Sequence, residues 1–170
     1  STASTCGNFN GSSEVTSVTG GTGPYTYSWN DPQNQQTALA DSLLANTYTV
    51  VVTDFNGCTK DTTVVVLNTP GSTIDSVVVV DVDCYGNSTG SAEAFVSGTA
   101  PFSYTWAPSG HLTAQANSLT AGVYSVEVVD GNGCITTHSG IAVNQPSELT
   151  ANITMPSYAC YGQEIQLFGA

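Results

Sequence analysis

The sequence repeats itself at a nearly fixed interval. Pro24-Tyr-Thr-Tyr-Ser-Trp29 aligns with Pro101-Phe-Ser-Tyr-Thr-Trp106 at an offset of 101 − 24 = 77. Tyr48 aligns with Tyr124, Asp54 with Asp130, Cys58 with Cys134 and Pro70 with Pro146 at 76. Cys6 aligns with Cys84 at 78, and Cys84 with Cys160 at 76. Self-similarity of this kind is the mark of small modules set in a row, and it argues against a single catalytic domain spread over the chain. The landmarks give one repeat over 1–70, a second over 71–146, and the start of a third unit over 147–170. The joints fall at Asn68-Thr-Pro-Gly71 and Asn144-Gln-Pro-Ser147, where a proline ends a strand.

Each repeat reads as strands. Phe102, Tyr104 and Trp106 alternate with Ser103 and Thr105, and Tyr124, Val126 and Val128 alternate with Ser125 and Glu127. Tyr25, Tyr27, Trp29 and Tyr48, Val50, Val52 repeat the pattern. A two-residue period puts one face in a core and the other in water. In Ile74–Cys84 that period sets Ile74, Val78, Val80, Val82 and Cys84 on the inner face, opposite Asp75, Val77, Val79, Asp81 and Asp83. Turn signals separate the runs every 8 to 12 residues, as in an all-β sandwich. Composition agrees. Ser and Thr number 43, only 8% of residues are charged, and the Glu, Lys, Arg and Met of exposed helices are nearly missing.

Charge removes further classes. Lys60 is the one basic residue beside thirteen acidic ones, a net charge of −12. Phosphate binding needs clustered Lys and Arg, so nucleic acid is excluded as a partner, and the same balance argues against docking on an anionic membrane surface. Apolar runs such as Val77–Val80 are far too short to span a bilayer, so no membrane insertion is expected. No basic stretch followed by an apolar one stands at the start of this sequence. A secreted form is expected to have lost its signal already, or to be longer than this segment.

Two details narrow the sandwich. Leu43-Leu-Ala-Asn-Thr-Tyr48 and Leu119-Thr-Ala-Gly-Val-Tyr124 place a Tyr just after an Asn or Gly, residues that tolerate a left-handed turn. A Tyr so placed resembles the tyrosine corner of immunoglobulin-like sandwiches, whose hydroxyl bonds back to the chain. Trp29 and Trp106 read as core residues. The cysteines depart from antibody domains, where the second Cys follows the corner Tyr by about two residues. Here Cys58 and Cys134 follow it by ten.

Five spaced elements recur twice in order: a leading Cys near a Gly, Gly-Thr-x-Pro-(Tyr/Phe)-x-Tyr-x-Trp, Leu-x-Ala-x-x-Tyr-x-Val, Asp-x-Asn-Gly-Cys, and a closing Pro. This string resembles the SprB repeat, found in tandem in very large cell-surface proteins of the Bacteroidota. The resemblance implies a secreted, extracellular module exposed at the outer membrane. It also implies export by type IX secretion and a place in adhesins of gliding motility and attachment. The implied fold is all-β, tandem immunoglobulin-like (PKD-like) sandwiches in an extended array. Residues 147–170 look like the opening of a related immunoglobulin-like module. The implied partners are other modules of the same long chain, surface glycans, or other components of a cell-surface filament.

Candidate chemistry is sparse. Asp54, Asn56, Asp130 and Asn132 offer oxygens near a tight turn, as calcium ligands do, but the bidentate Glu of a calcium loop is missing. The stronger reading is a hairpin, since Asn-Gly is a strong turn signal and the Asp bonds the turn backbone. His111 and His138 stand alone at unrelated places and read as surface residues. No nucleophile elbow, phosphate loop or metal spacing is present, so no catalytic residue and no cofactor is expected. Tyr25, Tyr27, Phe102 and Tyr104 would form a sugar-stacking platform if exposed, but their phase with the tryptophans sets them in the core. Ser42, Thr62 and Ser76 lie in Asp-(Ser/Thr)-x triplets like those of Bacteroidota O-glycosylation. The recurring positions, 52 and 50 residues apart, predict the disulfides Cys6–Cys58 and Cys84–Cys134, one per module. Cys160 is expected to pair beyond residue 170. The leading reading is a disulfide-stapled spacer in an adhesive stalk. A carbohydrate-binding module and the accessory repeats of a secreted hydrolase are the alternatives.

Overall fold

A computed structural model gives the fold and describes residues 1–152. The expected third module and the pairing of Cys160 lie outside the described residues. Among these, every regular element is a strand. In the first half, β2 (Gly11–Glu14) pairs antiparallel with β4 (Leu39–Leu43), and β5 (Asn46–Thr53) lies between β3 (Thr26–Trp29) and β6 (Thr59–Val66). In the second, β9 (Gly90–Ser97) lies between β8 (Thr73–Val80) and β11 (Gln115–Leu119). There β12 (Gly122–Val129) lies between β10 (Ser103–Ala107) and β13 (Ile135–Val143). Short β1 (Ser4–Thr5) runs parallel to β7 (Asn68–Thr69). No sheet draws strands from both sides of Pro70.

Each half is an immunoglobulin-like β-sandwich with its own core, built on the same residues. Trp29, Ala40, Leu43, Tyr48, Val50 and Val66 fill the first. Trp106, Ala116, Leu119, Tyr124, Val126 and Val143 stand at the same places in the second, joined by Ala92, Ala94 and Ile141. Small alanines face the large indole, so the volumes of the two sheets interlock. Each indole N–H donates to a loop carbonyl, Thr37 or Thr113, at 2.9 Å, which lets the ring bury without a lost hydrogen bond. Tyr48 donates its hydroxyl proton to the Leu44 carbonyl at 3.1 Å and Tyr124 to that of Thr120 at 2.9 Å. Both are tyrosine corners, as expected. Gly11 and Gly90 mark the closest approach of the sheets. A Cβ there would lie 2.7 Å from a methyl of Val66 or Val143.

Two local expectations are corrected. The left-handed residue near each corner is not Asn46 or Gly122. It is Ser42 (φ 53°) and its counterpart Ser118 (φ 56°), each at an irregularity in the pairing of β4 or β11. The inner face of β8 also differs. Its register slips between Ile74 and Ser76, and the extra residue reverses the parity that follows. Ile74, Val77 and Val79 therefore pack on the core, while Val78 and Val80 are more than half exposed.

The halves differ at one edge. β8 covers the outer edge of β9, but the described residues place no strand at that position on β2. The lone pairing of Thr2 with Ser12 stands where Val80 pairs with Ser91. Residues 15–18, whose faces the hydrophobic pattern does not assign, are not a strand.

Candidate functional site

The features that the sequence singled out converge on the joint between the halves. β6 and β7 carry the chain to Pro70, and β8 begins at Thr73. Because β1 runs beside β7, Cys6 comes to rest at the joint and donates its amide proton to the Thr69 carbonyl at 3.0 Å. The amide of Gly7 donates to Oδ1 of Asn68 at 2.9 Å. Thr5 and Asn10 close the loop by two bonds between them.

The hairpin Asp130–Cys134 of the second half meets this loop. Gly133 (φ 78°) takes the left-handed position that a three-residue hairpin loop needs, and Gly57 (φ 83°) does the same in the first half. Oδ1 of Asp130 accepts the amide protons of Asn132 and Cys134, both at 2.9 Å. Its Oδ2 accepts the amide of Ser72 across the joint at 3.0 Å, and Oγ1 of Thr136 donates to the Ser72 carbonyl at 2.7 Å. A Cβ on Gly71 would lie 2.8 Å from Cβ of Cys134. That close approach seats Cys134, which is 3% exposed, over the linker.

One disulfide crosses this joint, Cys6–Cys134, with a Cα–Cα distance of 5.4 Å. The expected pairs Cys6–Cys58 and Cys84–Cys134 are not formed, and Cys58 and Cys84 are exposed free thiols. Strand polarity is the reason. Cys58 precedes β6, whereas Cys6 sits beside Thr69, just past the other end of that strand. Ten extended residues span roughly 33 Å, and a disulfide needs Cα atoms within about 7 Å. The same argument along β13 separates Cys134 from Cys84, which lies beside Gln145: the Gly86 amide donates to Oε1 of Gln145 at 2.9 Å.

The four residues weighed for calcium form the two hairpins. In the first, Oδ1 of Asp54 accepts the amides of Asn56 (3.0 Å) and Cys58 (2.8 Å), and Oδ2 accepts that of Thr22 (3.0 Å). Nδ2 of Asn56 donates to the Thr22 hydroxyl. Both carboxylates thus face amide protons, whose partial positive charge opposes a cation. The Thr22 amide, then that of Cys58, holds the Asp54 carboxyl below its usual range. Among the described residues no three His, Cys, Asp or Glu side chains cluster as metal ligands do.

The remaining expectations scatter. Ser42, Thr62 and Ser76 are all exposed, the first at the bulge of β4. Tyr25, Tyr27, Phe102 and Tyr104 are half-buried; Tyr27, Phe102 and Tyr104 pack against the cores, and Tyr25 donates its hydroxyl proton to the Gly20 carbonyl. His111 is half-buried and His138 exposed. Sequence reasoning missed Asp31, which is 2% exposed. Its carboxylate accepts the amides of Gln33 and Gln35 and the Gln35 side chain. Burial alone would raise its pKa, but these bonds together outweigh it and lower the value.

A family model described as the SprB repeat matches residues 1–34 and 76–110. The two matched segments open the two halves at corresponding places, so each half is similar to the SprB repeat at its start. In SprB terms, the bridge ties the leading Cys of one repeat to the hairpin Cys of the next. No curated protein matches the chain in sequence. Among solved structures, murine CEACAM1b is 13% identical with a TM-score of 0.35, over 85% of this chain and 96% of that one. The amphioxus IgVJ-C2 molecule is 12% identical with a TM-score of 0.32, over 83% and 99%. The human desmocollin-1 ectodomain is 17% identical with a TM-score of 0.31, over 89% and 37%. No helix among the described residues is long and apolar enough to cross a membrane.

Proposed function

We propose that this chain is a spacer segment in the stalk of a secreted cell-surface adhesin or filament, serving gliding motility or attachment after type IX export. The carrying observation is the Cys6–Cys134 bridge, which joins consecutive repeats at their ends and leaves their sheets separate. Adhesins need reach and stiffness. Repeats that each hold their own core supply reach, and a covalent tie across the joint supplies stiffness. Net charge of −12 disfavours side-by-side folding of the repeats. The half-buried setting of Tyr25, Tyr27, Phe102 and Tyr104 favours this reading over a sugar platform. Other repeats of the same chain are the natural partners, with surface glycans or filament components met elsewhere on the parent.

Small-angle scattering on the whole chain tests the reading. Strands of about ten residues stacked end to end in two modules give a maximum dimension of about 70 Å. A compact globule of this length has a radius of gyration of about 15 Å. That value, with a maximum dimension of only about 40 Å, would end the spacer reading.

A further inference from the structure

We infer that Cys58 and Cys84 are the two open halves of further inter-repeat bridges, and that the exposed end of the first half is the docking face for a preceding SprB repeat. The inference rests on the spacer reading, in which repeats continue in both directions.

The argument is a comparison of matched positions. Cys84 lies in a loop closed as that of Cys6 is, one place earlier in its turn and without the left-handed φ of 57° that Cys6 adopts. The loop amide of Gly86 donates to Gln145 as that of Gly7 donates to Asn68. Asn87 donates to the Cys84 carbonyl as Asn8 does to that of Thr5. Asp83 and Thr89 close the loop as Thr5 and Asn10 do. At the other end, Cys58 sits in the same hairpin as Cys134, with the same two bonds to the Asp at its head. Cys6 and Cys134 are bridged, while Cys84 and Cys58 are exposed thiols.

The surface around Cys58 supplies a second, independent observation. A groove of about 340 Å³ opens there, lined by Val15, Val18, Tyr25, Asp54, Cys58 and Lys60 among others. Asp54, Cys58 and Lys60 are the counterparts of Asp130, Cys134 and Thr136. In the second half those three hold Gly71 and Ser72, the linker that leads into β8. The groove is therefore the slot that a linker and leading strand fill one repeat further on, and its lining begins at Val15, the residue after β2, whose outer edge no described strand covers. Asp54 gives its free oxygen to Thr22 of its own loop, where Asp130 gives it to the incoming Ser72 amide. The occupant is thus a repeat of the same kind, arriving with an extended segment like Gly71–Val80 and a leading Cys for Cys58.

Closing such a bridge removes two electrons and two protons from two thiols. Oxidised glutathione, a disulfide oxidant, takes both and leaves as two reduced molecules. Continued along an array, each bridge would tie a leading Cys to the hairpin Cys of the following repeat.

A tandem of this chain tests it. Residues 1–154 are joined to a second complete copy, so that Cys6 of the second copy takes the place of Cys160. After refolding with oxidised and reduced glutathione, free thiols are alkylated and disulfides mapped without reduction. The expected product has Cys84 of the first copy bridged to Cys58 of the second. Three of its nine cysteines then remain alkylated. Cys6–Cys134 bridges in both copies report that each folded. Five alkylated cysteines, with Cys84 of the first copy and Cys58 of the second among them, would overturn the inference. So would a bridge from either residue to any other cysteine. Scattering on the single chain reads the spacer function without this bridge, so the two can fail separately.

Discussion

Removing the Cys6–Cys134 bridge should loosen both halves and uncouple them. If the first half opens while the second stays folded, Pro70 and Cys134 remain side by side, and the closed loop is 70 − 6 = 64. If the second half opens alone, the loop is 134 − 70 = 64. In the chain-entropy account each loop makes opening costlier by about 4 kcal/mol. Opening both together constrains 128 residues, worth only about 5 kcal/mol in the same account. The bridge thus favours joint opening over two separate openings by about 3 kcal/mol. Because the parent opens both halves together, Cys6→Ser should cost about 5 kcal/mol in all, about 2.5 kcal/mol per half, a fall in melting midpoint of roughly 10–20 °C for domains of this size. It should also split one transition into two. Calorimetry on Cys6→Ser, Cys134→Ser and Cys58→Ser reads this. The first two should melt alike, and Cys58→Ser should melt as the parent does. Destabilisation by Cys58→Ser equal to that by Cys6→Ser, or less than about 1 kcal/mol lost on removing Cys6, would refute the reasoning.

Three further outcomes follow from the cores and the buried turns. Trp106→Ala should cost about 3–5 kcal/mol in urea unfolding, and Tyr124→Phe about 1 kcal/mol through the lost bond to Thr120. Gly90→Ala pushes a methyl against Val143 and should cost about 1–3 kcal/mol, with a matching loss for Gly11→Ala. Asp31, Asp54 and Asp83 all have lowered pKa values; for Asp83 the hydroxyl of Thr89 is the first cause. Depressed carboxyl pKa values contribute stability that is fully present above the unfolded value of 3.8 and is lost as pH falls through the folded values. Urea midpoints should therefore hold from neutral pH to about pH 5 and drop below about pH 4.

The periodicity of Phe102–Trp106 and Tyr124–Val128 marks their inner faces because β10 pairs with β12 without a slip, and the irregularity at Tyr124/Ser125 puts its extra residue, Gly140, in β13 and leaves the phase of β12 intact. The same reasoning fails on β8, where one bulged residue before Ser76 reverses the faces and leaves no trace in the hydrophobic pattern. The corner tyrosines and the hairpins are local, set by residues within a few positions, and the sequence shows them directly. Disulfide pairing is not local. Cys6 with Cys58 and Cys84 with Cys134 have matching spacings, but repetition alone cannot say whether a leading Cys reaches its own hairpin or the next one. Four cysteines allow three pairings, and spacing does not choose among them. The direction of β1 beside β7 does, by bringing Cys6 to the joint and leaving Cys58 at the far end of β6. The signal that could have shown it is the run of eight strand residues between Cys58 and the joint, too long for a within-module bridge.

Pulling the chain by its two ends tests the stapled stalk most directly. With Cys6 and Cys134 bridged, force bypasses the 128 residues between them. Of 170 residues, 170 − 128 = 42 can extend, at most about 150 Å. The first sandwich should then stay folded, and the second should give up no more than β13, which lies outside the bridged loop. Adding a reductant should release about 420–460 Å of further contour as the sandwiches open. Stepwise extension well beyond the stapled limit before any reductant is added would show that force runs through the repeats and not across the staple, and would contradict the account.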